Sequence, residues 1–246
     1  MITFVTLPRA FQGEFRELQY MAIQSWLSAV PGCQVIVMGD EPGTRQAVYD
    51  LGIVQCLNVD VNEFGTPLMD KVFAAGEQYA SHPWICEISA DIVMDEMIVH
   101  LPALLAECER PFVIGQRWDI DPGANSETAK LHPPCGMDWF FYRRGTIGPI
   151  PPFAAGRGRI DNWLVWAAIH RWDMQVIDAT EDVFAIHVNH GHPNWPNGKA
   201  GREAGPEWAT NDKLAQETGM TRLYGINDAP WVLRNGHLLR REEADA

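Results

Sequence analysis

Cysteine is scarce in this chain and is never grouped. The five, Cys33, Cys56, Cys86, Cys108 and Cys135, are scattered, odd in number and nowhere spaced Cys-x-x-Cys. That pattern excludes a thiolate zinc cage and a disulfide framework, and it suits buried thiols in a reducing compartment. Positive charge is also short. Nineteen Lys and Arg stand against 32 Asp and Glu, a formal net charge of −13, which disfavours duplex nucleic acid and anionic membrane as partners and leaves phosphate to a local basic pocket. No apolar run reaches the length of a membrane span. Met1 leads directly into a strand, without a charged and then hydrophobic leader, so the expectation is a cytoplasmic protein. Internal repeats and low-complexity tracts are absent.

What is present is enough hydrophobic residue, 46% of 246, for a full core in one compact domain spanning 1–246. Residues 2–7 read as a buried strand stopped by Pro8. Phe15, Leu18, Ala22, Trp26 and Ala29 then recur at helical spacing until Pro31-Gly32. Strands follow at 34–38 and 54–59, and helices at 44–51 and 67–80. This alternation predicts an α/β fold, a mostly parallel central sheet with flanking helices. Further on, a helix lies between Glu96 and Cys108, strands at 111–116 and 137–142, a polar loop over 119–134, an apolar helix over 162–172, and strands at 175–178 and 183–188. The segment 189–207 is rich in Gly, Pro and Asn and reads as a long loop, a candidate lid. Asn235-Gly236 between two apolar runs predicts a C-terminal hairpin.

The most informative stretch is Trp84-Ile85-Cys86-Glu87-Ile88-Ser89-Ala90-Asp91. An apolar strand ending on a lone acid delivers a carboxylate to the rim of a sheet, where open α/β folds bind ligands. Asp91 there can hold a divalent metal or serve as a turn or cap residue. His187, His190 and His192 cluster at a strand end, and an isolated histidine is more often structural. Asp161 precedes an apolar helix and suits an N-cap. Asp138 satisfies nearby backbone on the simplest reading, and Arg117 with Asp119 forms a surface pair.

Together, the units ending at Thr6-Leu7-Pro8 and Asp40, the Ser89-Ala90-Asp91 terminus, Gly136-Met137-Asp138-Trp139-Phe140 and Gly158-Arg159-Ile160-Asp161-Asn162 resemble a nucleotide-sugar glycosyltransferase of the A-type fold, over roughly the first 190 residues. The resemblance implies a Rossmann-like nucleotide-binding part (1–116), a sugar and acceptor part (117–192) and a loop with C-terminal extension (193–246). It implies metal-dependent transfer from a nucleoside-diphosphate sugar donor to a hydroxyl of a small molecule, glycan or protein. An Asp-x-Asp in that family holds Mn²⁺ or Mg²⁺; here the first acid is Ser89, so Asp91 alone matches, with Asp95 a second candidate and His187 the C-terminal ligand. By the same resemblance Thr6, Leu7, Pro8 and Asp40 contact the nucleoside. Ser89, Ala90, Arg117 and Asp119 meet donor phosphate or sugar, with Lys71, Lys199 and Arg202 as weaker phosphate candidates. Asp138 sits at the sugar, with Trp139 as a stacking face, and Asp161 faces the acceptor as base in an inverting enzyme or as positioning acid in a retaining one. Two alternatives remain, a nucleotidyltransferase on a related sheet, whose usual glycine-rich loop has no counterpart before Gly13, and a non-catalytic nucleotide-sugar binder.

Overall fold

A computed structural model of the chain describes residues 1–124, 126–191, 201 and 203–244. The elements in chain order are β1 (Ile2–Thr6), α1 (Gly13–Ala29), β2 (Gln34–Met38), α2 (Thr44–Leu51), β3 (Val54–Cys56), α3 (Met69–Tyr79), β4 (Trp84–Ile88) and β5 (Ile92–Met94). A 3₁₀ turn over Glu96–His100 leads into α4 (Leu101–Leu104), whose Pro102 stands in the first turn, where no backbone donor is needed. Then come β6 (Pro111–Ile114), β7 (Arg117–Ile120), β8 (Lys130–Leu131), β9 (Trp139–Arg143), α5 (Ile160–His170), β10 (Gln175–Asp178), β11 (Ala185–Val188), α6 (Pro206–Glu217), β12 (Trp231–Arg234), β13 (His237–Arg240) and α7 (Arg241–Ala244).

Nine strands form the main sheet in the order β13-β12-β10-β6-β9-β4-β1-β2-β3. The pairings β1–β2, β1–β4, β2–β3, β6–β10 and β10–β12 are parallel, as the strand-helix alternation predicts. Two strands run the other way: β9, between β4 and β6, and β13, which closes the predicted hairpin. On one face Ile2 and Phe4 pack with Ile23 and Trp26 of α1. On the other Ile36 and Met38 pack with Phe73 of α3 and Trp163 of α5. Burying side chains of this size contributes about 1.5–3 kcal/mol each.

Several expectations need correction. The polar segment 119–134 is not a plain loop, since β7 runs to Ile120 and β8 lies within it. These strands join β5 and β11 in a second sheet, β5-β11-β7-β8, too short and too polar on their outer sides to give a period-two signal. The helix α6 begins at Pro206, inside the segment expected to be a loop. Residues 192–200 and 202 of that segment, with His192, Lys199 and Arg202, lie outside the described residues. The first strand ends at Thr6 and the third at Cys56, each shorter than its apolar run.

The reversal of β9 has a positional consequence. Ile88 pairs with Trp139 and Ile114 with Phe140, so the start of β9 lies at the edge where β4 and β6 end. Asp138 is thereby brought to the rim that carries Ser89.

Candidate active site

The strand β4 ends at Ile88, and Ser89-Ala90-Asp91 forms the tight connection to β5, closed by Ile92 N–H donating to the Ser89 carbonyl (3.2 Å). The buried face of α1 fixes this turn. Trp26 Nε1 donates to the Ile92 carbonyl (2.8 Å), and Ser25 Oγ accepts from Met94 N–H (3.0 Å). Sheet register supplies the rest. In β11 His187 lies opposite Ile92 of β5 on one side and Asp119 of β7 on the other. Three residues on, His190 returns to the same point. Its Nε2 lies 3.0 Å from Asp91 Oδ2 and 3.2 Å from His187 Nε2, which is itself 3.9 Å from Asp91 Oδ2.

This cluster, with candidate ligand atoms all within 4.8 Å, fits one divalent cation, because ligands about 2.0–2.2 Å from an ion stand about 3 Å from one another. The set of two imidazoles and a carboxylate suits a transition ion such as Mn²⁺, and the carboxylate suits Mg²⁺ as well. The electrostatics of His187 and Asp91 agree, while His190 must give up a proton to bind the ion. Burial, then the Arg117 charge, pushes His187 below the usual histidine value and keeps it a neutral ligand. Burial would raise Asp91, but the hydrogen bond from His190 and the two imidazoles hold it below the ordinary carboxylate value. The hydrogen bond to Asp91 raises His190. Asp95 is not part of the cluster. It caps the following 3₁₀ turn, accepting from Met97 N–H (3.1 Å).

A second network adjoins the first. Arg117 donates to Asp119 Oδ1 (2.9 Å) and Asp138 Oδ2 (2.6 Å), and Asp119 Oδ2 lies 2.6 Å from His132 Nδ1. His187 Nδ1 comes within 3.3 Å of Asp119 Oδ1 without the alignment of a hydrogen bond. Ser89 N–H donates to the Asp138 carbonyl (2.8 Å). Arg117 and Asp119 are therefore not the simple surface pair of the blander reading. Their side chains are largely buried, and they link the metal cluster to Asp138.

Both groups open on one cavity of about 950 Å³. It is lined by Leu7, Ser89, Ala90, Asp91, Arg117, Asp138, Asp161 and His187 among the residues singled out from sequence. Thr6 and Pro8 are buried at and just beyond the end of β1, Asp40 is engaged on the surface by Arg45 (2.6 Å) and Gln55, and Lys71 sits beside Asp70; none of the four lines the cavity. Trp139 does not offer a stacking face, because it is fully buried against Gly115, where any side chain would collide with its ring. Asp161 is not the cap of α5. The cap position is Arg159, at φ 73°, and Asp161 follows in the first turn. Cys135 is exposed at the cavity rim, against the expectation of buried thiols.

Four lining groups escaped the sequence reading. Arg9 follows β1, and its main chain is clasped by the buried Gln19 side chain, which accepts from Arg9 N–H (2.8 Å) and donates to its carbonyl (3.1 Å). Its guanidinium lies over Phe15 at 5.1 Å, Phe15 meets His190 edge-on, and its buried Nη1 has no partner among the described residues. The other lining arginines are engaged, Arg117 by two carboxylates and Arg159 by Asp212 at 2.7 Å. Glu87 is buried, and desolvation, then Asp138, raises its carboxyl to about 8. His132 and Trp208 complete the set. Only Glu87, an acid inside an apolar strand, left a signal in the sequence.

No protein-family model matches the chain, and no curated protein is significantly similar to it in sequence. Solved structures are similar in fold. Glucosyl-3-phosphoglycerate synthase of Mycobacterium tuberculosis, with Mg²⁺ and uridine diphosphate, is 12% identical over 86% of this chain and 79% of its own, with a TM-score of 0.52. Staphylococcus aureus TarS with UDP-GlcNAc is 14% identical over 88% of this chain and 71% of its own, at 0.50. A provisionally assigned nucleotide-diphospho-sugar transferase of Desulfovibrio desulfuricans is 10% identical over 88% of this chain and 97% of its own, also at 0.50. With its large mixed sheet, the antiparallel β9 and the cavity beyond the parallel strand ends, this chain has the A-type fold of the nucleotide-sugar glycosyltransferases.

Proposed function

We propose that the chain transfers a sugar from a nucleoside-diphosphate sugar to a hydroxyl acceptor, using a divalent cation, Mn²⁺ or Mg²⁺, held by Asp91, His187 and His190. The observation that carries this reading is the convergence of the three ligands within 4.8 Å on the wall of a cavity that also holds Arg9, a cation whose Nη1 has no partner among the described residues. A divalent cation and a guanidinium together suit a diphosphate. When bound, the cation stabilises negative charge on the departing diphosphate.

The chain's own residues divide the remaining tasks. Arg9 holds a phosphate oxygen, and the clasp from Gln19 fixes the segment that carries it. Leu7, Ser89 and Ala90 shape the floor beneath the donor. Asp138, held by Arg117 at 2.6 Å, accepts from sugar hydroxyls. Asp161, in the first turn of α5, positions the acceptor. Asp119 keeps Arg117 and His187 in place instead of touching donor phosphate. A nucleotidyltransferase is disfavoured by the absence of a glycine-rich loop after β1, and a non-catalytic binder by the pre-built metal cluster.

The test is a thermal-shift screen of nucleoside diphosphates and their sugars with Mn²⁺, Mg²⁺ or chelator, beginning with the uridine compounds bound by the structural neighbours. A specific ligand at a hundredfold its Kd stabilises the native state by about 2.7 kcal/mol. A shift that needs both nucleotide and metal supports the reading, and no shift with any donor contradicts it.

A further inference from the structure

We propose that His132 is the base that accepts the acceptor hydroxyl's proton, with Asp119 as its positioning residue; the proposal rests on the sugar-transfer reading above. The placement is fixed by the second sheet. The β8 residues Lys130 and Leu131 pair with Asp119 and Trp118, and His132, next in sequence, is held at both ends of its backbone. Its N–H donates to the Arg117 carbonyl (2.9 Å), and its carbonyl accepts from Gln116 Nε2 (2.5 Å).

The tautomer follows from the partners. Asp119 Oδ2 lies 2.6 Å from Nδ1, while Arg117 Nη2 lies 3.3 Å from the same atom. A carboxylate only accepts, so the closer contact puts the proton on Nδ1 and leaves the lone pair on Nε2. The ring lines the cavity, and its Nε2 has no protein partner among the described residues. Room for it depends on Gly136, where an added Cβ would lie 2.7 Å from both Nε2 and Cδ2.

Other cavity groups are less suited to the task. Asp138 is engaged by Arg117 at 2.6 Å, and Asp119, though burial would raise it, is held below the ordinary carboxylate value by its hydrogen bond to His132 and by Arg117, which weakens it as a base. Asp161 lies in the first turn of α5, beside the helix's unpaired backbone N–H groups. Glu87, raised to about 8, holds its proton at neutral pH. Among the described residues the charged groups in contact with the His132 ring are Asp119 and Arg117, and Asp119 stabilises the imidazolium that forms. As the acceptor oxygen bonds to the anomeric carbon, the bond from that carbon to the diphosphate oxygen breaks and its electron pair leaves on the diphosphate. The acceptor proton passes to Nε2.

The experiment uses the full chain with UDP-glucose and UDP-GlcNAc at saturating Mn²⁺, reading UDP release to water, and UDP affinity by calorimetry. For His132→Ala we expect wild-type melting and UDP affinity, UDP release slower by roughly 10²-fold or more, and partial recovery when imidazole is added, which no structural role would produce. For Asp119→Asn we expect lower kcat in a protein that still binds UDP, because Nδ1 loses the carboxylate that orients the ring. Wild-type turnover in His132→Ala at equal UDP affinity, or loss that imidazole leaves untouched, overturns the role of His132 while the donor reading stands. A wild-type protein that neither binds UDP nor releases it from either sugar overturns the donor reading, and this proposal with it.

Discussion

Replacing Glu87 by Gln should make the protein more stable, and by an amount that grows with pH. Glu87 lies in β4 between Val5 of β1 and Phe140 of β9, with 8% of its surface exposed. Desolvation, then the Asp138 charge, raises its carboxyl from an ordinary 4.5 to about 8. A folded-state value above the unfolded one means that this group's contribution is fully present below about 4.5 and is lost as pH rises toward 8. Over that window the unfolded chain has released a proton that the native chain still holds. One proton corresponds to about 1.4 kcal/mol per pH unit, or on the order of 4 kcal/mol between pH 5 and 8. Gln keeps the shape of the protonated acid and removes the titration. Chemical denaturation of both proteins at unit steps from pH 5 to 8 should give similar stabilities at pH 5 and a gap that widens steadily, near 10 °C in melting temperature at pH 8 by the usual size scaling. Parallel stability curves would show that Glu87 is already ionised in the native state and refute the reasoning.

Other perturbations separate the parts of the site. Arg9→Ala should weaken UDP binding at saturating Mn²⁺ by about 1.5–3 kcal/mol, the range for a hydrogen bond to a charged group, with little change in melting; unchanged calorimetric affinity would remove Arg9 from the donor site. Asp161→Asn should leave the melting temperature almost unchanged, because a first-turn acid contributes at most about 1 kcal/mol, yet reduce turnover by up to about 10²-fold through misplaced acceptor. Near-normal turnover would make it a helix-terminus residue alone. His187→Ala should lower Mn²⁺ affinity in the apo protein, measured by competition with a metal-sensitive dye; unaltered affinity would leave Asp91 and His190 without their third ligand.

Much of the first half of the fold was legible because β1, β2 and β4 are apolar runs buried along nearly their whole length. The hairpin at Asn235-Gly236 was legible for its turn chemistry. The second sheet was not. Its strands β5, β7 and β8 are two to four residues long, and their pairing depends on contacts distant in sequence. That same sheet sets the site. Asp91 and His187 could be read as candidates from their strand-end positions, but register across β5, β11 and β7 joins them to Asp119, and no spacing in the chain announces that. Arg9 and His132 were invisible for a related reason: a lone Arg after a strand and a lone His in a polar segment resemble solvated residues until Gln19 and Asp119 are seen to hold them.

The central claim, a metal-assisted donor site built on Asp91, is tested most directly by calorimetric titration of UDP into the wild-type protein and Asp91→Ala, each with Mn²⁺ and with chelator. The account predicts that wild-type affinity depends on Mn²⁺, and that Asp91→Ala with Mn²⁺ binds at least about tenfold more weakly, as expected of a broken ligand set, while melting as the wild type does. Equal UDP affinity in the two proteins with Mn²⁺ present would contradict it.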